Sequence, residues 1–193
     1  ADTAGAVFRA EGLSLFFEET YTVIANGIVD SPNHTPFVAF DLYAYPSTRM
    51  MANMPGNTDV QVFHGVTDAP AVDVEEVGVG AGIVVDNLEY GDFIPNYLML
   101  ATDDYVLKVM DSTGSVTVGV YEAPLQSLGL GGQSISVVAS GFLNPAANNN
   151  GPGFGLWVAL NGGGPLVELP TATTNIQILH NSSDAAADTV DVW

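Results

Sequence analysis

Residues 60–74, VQVFHGVTDAPAVDV, read as a strand, a tight turn and a second strand, and residues 176–192, IQILHNSSDAAADTVDV, begin the same pattern again with one residue of sequence left. His64 recurs as His180 and Asp68 as Asp184, both at an offset of 116 positions. A β unit that opens at 176 has no room here for the strands that would pair with it. The expectation is that another copy of the molecule completes it.

A second, ungapped repeat supports the duplication. Residues 3–27 lie over residues 117–141 at an offset of 114, and Thr3, Gly5, Val23, Ala25 and Gly27 recur as Thr117, Gly119, Val137, Ala139 and Gly141. Both copies run on into a Pro/Asn-rich loop and an aromatic strand, DSPNHTPFVAFDL and NPAANNNGPGFGLWVAL. The order of elements implies three parts: residues 1–55 as the back half of a repeat, 56–170 as a complete β-sandwich domain, and 171–193 as a donor segment from the front of a repeat.

Period-two alternation of β-branched and aromatic residues recurs along the chain and helical periodicity is nearly absent. Strands are predicted at 4–9, 20–29, 37–45, 60–64, 71–77, 105–110, 115–121, 134–142, 154–160, 176–180 and 189–193. MDSTGS, 110–115, has the Asp, Ser and Gly chemistry of a hairpin turn. The glycines at 78–82 and 128–132 adjoin strands rather than helices, so they read as turns and not as phosphate cradles. Many short strands punctuated by Gly, Pro and Asn predict an all-β fold, an antiparallel β-sandwich of immunoglobulin-like or Greek-key type, with a partial β unit completed between subunits.

The chain of 193 residues carries 22 acidic residues against three basic ones, Arg9, Arg49 and Lys108, for a formal net charge of −19. Such a field repels phosphate backbones and anionic headgroups, so nucleic acid is not an expected partner. No apolar run approaches the roughly 18–20 residues that cross a bilayer, and no membrane insertion is expected. High salt would screen the self-repulsion, which fits a marine or halophilic surface. The absence of cysteine excludes disulfides and thiolate chemistry. The sequence starts at Ala1 without a basic or apolar leader, which suits either a mature secreted protein or a fragment, and an extracellular or cell-surface location is expected. Residues 123–167 hold no Asp, Glu, Lys or Arg, which reads either as loops flanking buried strands or as a surface covered by another subunit.

HGVTDAPAVDV with the following VDNLEYGD and YVLKVMDS resembles the extracellular bacterial and archaeal domain of unknown function 4397. Members of that family open with a strand, then His-(Ala/Gly)-Ser-Pro-Asp-Ala-Pro-Ala-Val-Asp-Val, often in tandem. Val66 and Thr67 stand here where Ser-Pro is usual, and the second copy carries a two-residue insertion. The resemblance implies a secreted β-sandwich-like module and supplies no reaction, cofactor or catalytic residue.

Chemistry-bearing residues are sparse. His64 with Asp68, and His180 with Asp184, could bind metal or move protons, but an Asp in such a turn more often caps its own backbone, with the His packed over it. Asp68, Asp73 and Glu75, joined by Glu76 and by Asp103, Asp104 and Asp111 around the hairpin, are candidate calcium ligands, although no twelve-residue calcium loop is present. A solvated acidic rim is the plainer reading. Tyr43, Tyr45, Trp157 and Trp193 could form a sugar-stacking platform, with Trp157 expected in the core. Asn33 and Asn181 match the glycosylation sequon. No nucleophile elbow, zinc-protease motif or phosphate loop occurs, so no enzyme, cofactor or metal is expected.

The expected partner is therefore the protein itself, assembling head to tail. Ile176, Ile178, His180, Val190, Val192 and Trp193 form the predicted subunit interface by strand addition. Burying about 500 Å² of apolar surface there would contribute about 12 kcal/mol gross, against association costs of several kcal/mol. A heterologous contact that does not close generates a filament. The alternative is a monomeric adhesion module from a tandem-repeat surface protein, with a glycan as its ligand.

Overall fold

The computed structural model describes residues 15–29 and 33–173. Among these residues eleven strands form three sheets: β1 (Thr22–Asn26), β2 (Asp41–Tyr45), β3 (Asn57–His64), β4 (Val72–Glu76), β5 (Gly82–Leu88), β6 (Leu98–Ala101), β7 (Asp104–Asp111), β8 (Thr117–Pro124), β9 (Ser134–Ser140), β10 (Gly155–Leu160) and β11 (Val167–Glu168). β3 to β11 build a sandwich, one sheet in the order β11-β10-β9-β3-β6 and the other β5-β4-β7-β8. The core lies between them. Val60, Ile135, Val137, Leu156 and Val158 face inward from the first sheet, and Val72, Val74, Val109, Tyr121 and Ala123 from the second. Alternation decides this. Successive residues on a strand face opposite ways, so one apolar set fills the space between the sheets.

The sandwich is the predicted one, with a departure in pairing. β3 runs parallel to β9, Val60 beside Ile135 and Phe63 beside Val138, while the other strand pairs are antiparallel. Three strands, β5, β6 and β11, lie where none was predicted. β5 breaks its alternation at Asp86-Asn87, where Asn87 adopts φ 49° and the β4–β5 register shifts. β6 and β11 have only four and two residues. The MDSTGS hairpin is where it was expected, with Asp111 accepting from Val116 N at 2.8 Å and from the Thr113 hydroxyl at 2.6 Å. Predicted strands 4–9, 176–180 and 189–193 lie outside the described residues.

Two buried groups hold the strand ends. Glu76 is buried and accepts from Gly78 N at 2.7 Å, Val79 N and Ala81 N at 3.1 Å, and Val106 N at 3.3 Å, closing the β4–β5 turn. Burial pushes its carboxyl up, and these donors outweigh it, so the net shift is downward. His64 at the end of β3 is fully buried. Burial pushes its imidazole down, against the opposing pull of the Pro70 carbonyl and Asp92. Both folded values are depressed, so both groups contribute stability that is complete above their unfolded values and is lost as pH falls toward the folded ones. Denaturant midpoints should therefore fall in two windows on acidification, below about pH 6.5 for His64 and below about pH 4.3 for Glu76. In His64→Gln the first slope should vanish and the second remain.

Candidate assembly site

β1 and β2 form a two-stranded sheet of their own. It packs on the outer face of the β3-containing sheet, which is the face turned away from the core. Phe63, buried to 1% exposure, takes Tyr43 at 5.3 Å and Phe93 at 4.7 Å between ring centroids, and Tyr45 meets Phe93 at 5.4 Å and Tyr97 at 5.9 Å. Asn26 donates to the Gly65 carbonyl at 2.9 Å. Arg49 pairs with the fully buried Asp59, lies 4.7 Å over the Tyr97 ring and offers its N–H to the Tyr97 hydroxyl at 3.0 Å. Further along, Thr35 N donates to Asn148 Oδ1 at 3.1 Å. Aromatic packing, an ion pair and loop hydrogen bonds thus fix the hairpin to the sandwich.

The hairpin is a second copy of β9–β10, residue for residue. Asn26 pairs Asp41, Ala25 pairs Leu42 and Val23 pairs Ala44. At an offset of 114, Ser140 pairs Gly155, Ala139 pairs Leu156 and Val137 pairs Val158. The correspondence continues past the strands. Ile28 bridges Ala39 as Phe142 bridges Gly153, and Ile28 N donates to Val38 O as Phe142 N donates to Pro152 O. Gly27 and Gly141 both take positive φ, 102° and 90°.

What differs is the neighbour. β9 has β3 along its other edge. At the corresponding edge of β1 no strand lies among the described residues. Ile28 bonds toward β2, so by strand alternation Thr22, Ile24 and Asn26 also turn their N–H and C=O groups to β2, while Val23 and Ala25 turn theirs outward. The matching Ala139 carbonyl accepts from Gly65 N at 2.9 Å. The exposed face of the hairpin is also the one that corresponds to core. Val23 is 43% exposed where its counterpart Val137 is buried, and Leu15, Phe16, Phe17, Val29 and Phe37 are exposed as well.

Between β1, at its edge away from β2, and the sheet beneath runs a groove of about 480 Å³, lined by Thr22–Asn26, Ser136, Val138, Ser140, Trp157, Ala159 and Leu166. Its floor belongs to the charge-free stretch 123–167. Trp157 lies here and not in the core, because Leu156 and Val158 take the inward positions on β10. A cavity of about 50 Å³ inside the sandwich is lined by apolar side chains throughout, too small and too dry for a polar ligand.

The candidate calcium ligands are dispersed and engaged within the protein. Asp68 does not cap its own turn. It reaches across to the loop after β9 and accepts from Leu143 N at 2.9 Å, Asn144 N at 2.8 Å and Asn148 Nδ2 at 3.0 Å. The turn's cap is His64, whose Nε2 donates to the Pro70 carbonyl at 3.0 Å while Nδ1 accepts from Val66 N at 3.3 Å. That tautomer is a neutral imidazole with both nitrogens engaged. Asp73 accepts from Asn87 N at 2.7 Å at the β5 irregularity, and Glu75 pairs with Lys108 at 3.2 Å. Asp104 binds Ser127 through both carboxylate oxygens. Among the described residues no three His, Asp or Glu side chains cluster as a metal would require. Tyr43 and Tyr45 are spent in the hairpin's aromatic contact rather than on a sugar platform. The predicted interface residues Ile176, Ile178, His180, Val190, Val192 and Trp193, and also Asp184 and Asn181, lie outside the described residues.

The donor predicted at 176–180 is expected to join the sheet edge of the next subunit's N-terminal half, residues 1–55, and within that half Val23 and Ala25 of β1 turn their backbone groups outward. The sequence signal for this edge is the ungapped 114-residue offset, which aligns β1 with β9. No family model matches the chain, and no curated protein or solved structure is significantly similar to it. The likeness to the domain of unknown function 4397 rests on the motif residues alone.

Proposed function

We propose that the protein is a secreted structural subunit that polymerises head to tail by β-strand complementation into an extracellular filament at the cell surface. One observation carries this reading: β1–β2 reproduces β9–β10 in register, and among the described residues no strand stands beside β1 as β3 stands beside β9. A bare sheet edge beside an exposed apolar face is either an aggregation hazard or a docking device. The sequence 176–180 carries a second version of β3. Donor and acceptor sit at different places on one molecule, so each subunit offers both and a chain of subunits grows.

The rival reading is a monomeric adhesion module that binds a glycan in the same groove, where Trp157 supplies an aromatic surface and Ser136 and Ser140 supply hydroxyls. Negative-stain imaging with size-exclusion chromatography of the full chain separates the two. Long unbranched fibres are expected, whereas a compact monomer of 20.1 kDa would overturn the polymer reading.

A further inference from the structure

We infer that the acceptor is the edge of β1 opposite β2, and that residues 176–180 of a second copy lie on it parallel to β1, with Ile178 beside Val23. This rests on the polymer reading and gives it a site, a direction and a register.

The pattern comes from inside the sandwich. β9 accepts β3 in parallel, Gln61 beside Ser136, Val62 beside Val137, Phe63 beside Val138 and His64 beside Ala139. Carried across the two offsets in the sequence, these pairs become Gln177 beside Thr22, Ile178 beside Val23, Leu179 beside Ile24 and His180 beside Ala25. Asn181 N then donates to the Ala25 carbonyl, as Gly65 N does to Ala139. Leu179, in the place of Phe63, faces the groove over Trp157. Ile176 and Ile178 extend the apolar face begun by Val23 and Ala25. Val190 and Val192 correspond to Val72 and Val74, which close the sandwich from the opposite sheet. The donor thus supplies one strand in the plane of the hairpin and one across its exposed face.

The exit path of the chain assigns this donor to another molecule. Pro170–Ala172 runs along the edge of β8, with Glu122 N donating to Pro170 O and Ala172 N to Val120 O, each at 2.8 Å. That edge belongs to the four-stranded sheet, while the β1–β2 hairpin lies beyond the five-stranded one. Each packed layer adds about 10 Å, so about 20 Å separates them. From Ala172 to Ile176 an extended chain reaches only about 14 Å. On these lengths the groove of one subunit takes the tail of another in the assembly we infer.

The protein contains no cysteine, so introduced thiols report one contact each. In the full-length double variant Val23→Cys/Ile178→Cys, the paired residues face the same way at about 4.8 Å, within disulfide range. Mild oxidation should give a covalent ladder of multimers on a non-reducing denaturing gel. Ala25→Cys/Ile176→Cys, which an antiparallel strand pivoting on Ile178 would bring together, should give none. Reduced samples of both variants are imaged first, so that fibres report assembly independently of the bond. Fibres without the Val23–Ile178 ladder, or with the Ala25–Ile176 ladder, overturn the register and leave the polymer reading standing. A Val23–Ile178 bond closed within single chains, with no fibres, supports the register and overturns exchange between molecules. Neither fibres nor bonds overturns both.

Discussion

Val23→Pro should abolish fibres while leaving a folded monomer. Val23 turns its N–H away from β2, so proline there removes no hydrogen bond from the hairpin. Its φ suits an edge strand, where proline is tolerated. What it removes is a donor to the incoming strand, and its ring stands where that strand's backbone must approach. The expected shift in folding stability is below about 1 kcal/mol, against complete loss of polymer by sedimentation or imaging. Proline at Val137, the equivalent position on β9, would strike the β3–β9 ladder inside the sandwich and should prevent folding. The contrast between two positions 114 residues apart is what a shared strand role predicts.

Gly141→Ala and Gly27→Ala form a second matched pair, with different consequences. A Cβ on Gly141 would lie 2.1 Å from the Gly153 carbonyl oxygen, and on Gly27 2.5 Å from the Ala39 carbonyl oxygen. Both positions need the left-handed region, which an L side chain enters at a cost of roughly 1–2 kcal/mol, and the clash with backbone adds roughly 1–3 kcal/mol more. Gly141 joins β9 to the loop that Asp68 holds, within the sandwich. Its substitution should cost about 2–5 kcal/mol of global stability in denaturant melts. Gly27 joins β1 to the loop that leads to β2. There the same change should leave the sandwich's denaturation midpoint within about 1 kcal/mol and lower the amount of polymer instead.

The sandwich itself was legible because its core strands alternate cleanly. Val60, Val62 on β3 and Ile135, Val137 on β9 announce both strand and inward face. β5 escaped because Asp86-Asn87 interrupts its alternation and Asp73 stabilises the break by capping Asn87 N, a tertiary contact that no local pattern encodes. β6 and β11 are too short to show a period. Trp157 was misplaced because an aromatic inside FGLWVAL looks like core until the register of β10 gives that side to Leu156 and Val158. Asp68 was misread for a similar reason: its acceptors' partners, Leu143, Asn144 and Asn148, lie at least 75 positions away. The candidate site was half legible. The repeated motif pointed to 176–192 as a donor. That β1 has no second neighbour among the described residues became visible only when the sheet order placed β3 next to β9, since nothing in a sequence states which strands are neighbours across a parallel pairing.

The most direct measurement mixes two chains that are each unable to polymerise. One lacks residues 174–193 and keeps the acceptor edge; the other carries Val23→Pro and keeps the tail. Each alone should sediment as a monomer. Mixed in equal amounts, they should form a one-to-one heterodimer and stop there, because the pair holds one working donor and one working acceptor. Fibres from the truncated chain alone, or no complex in the mixture while the unaltered protein polymerises, would contradict strand donation between molecules.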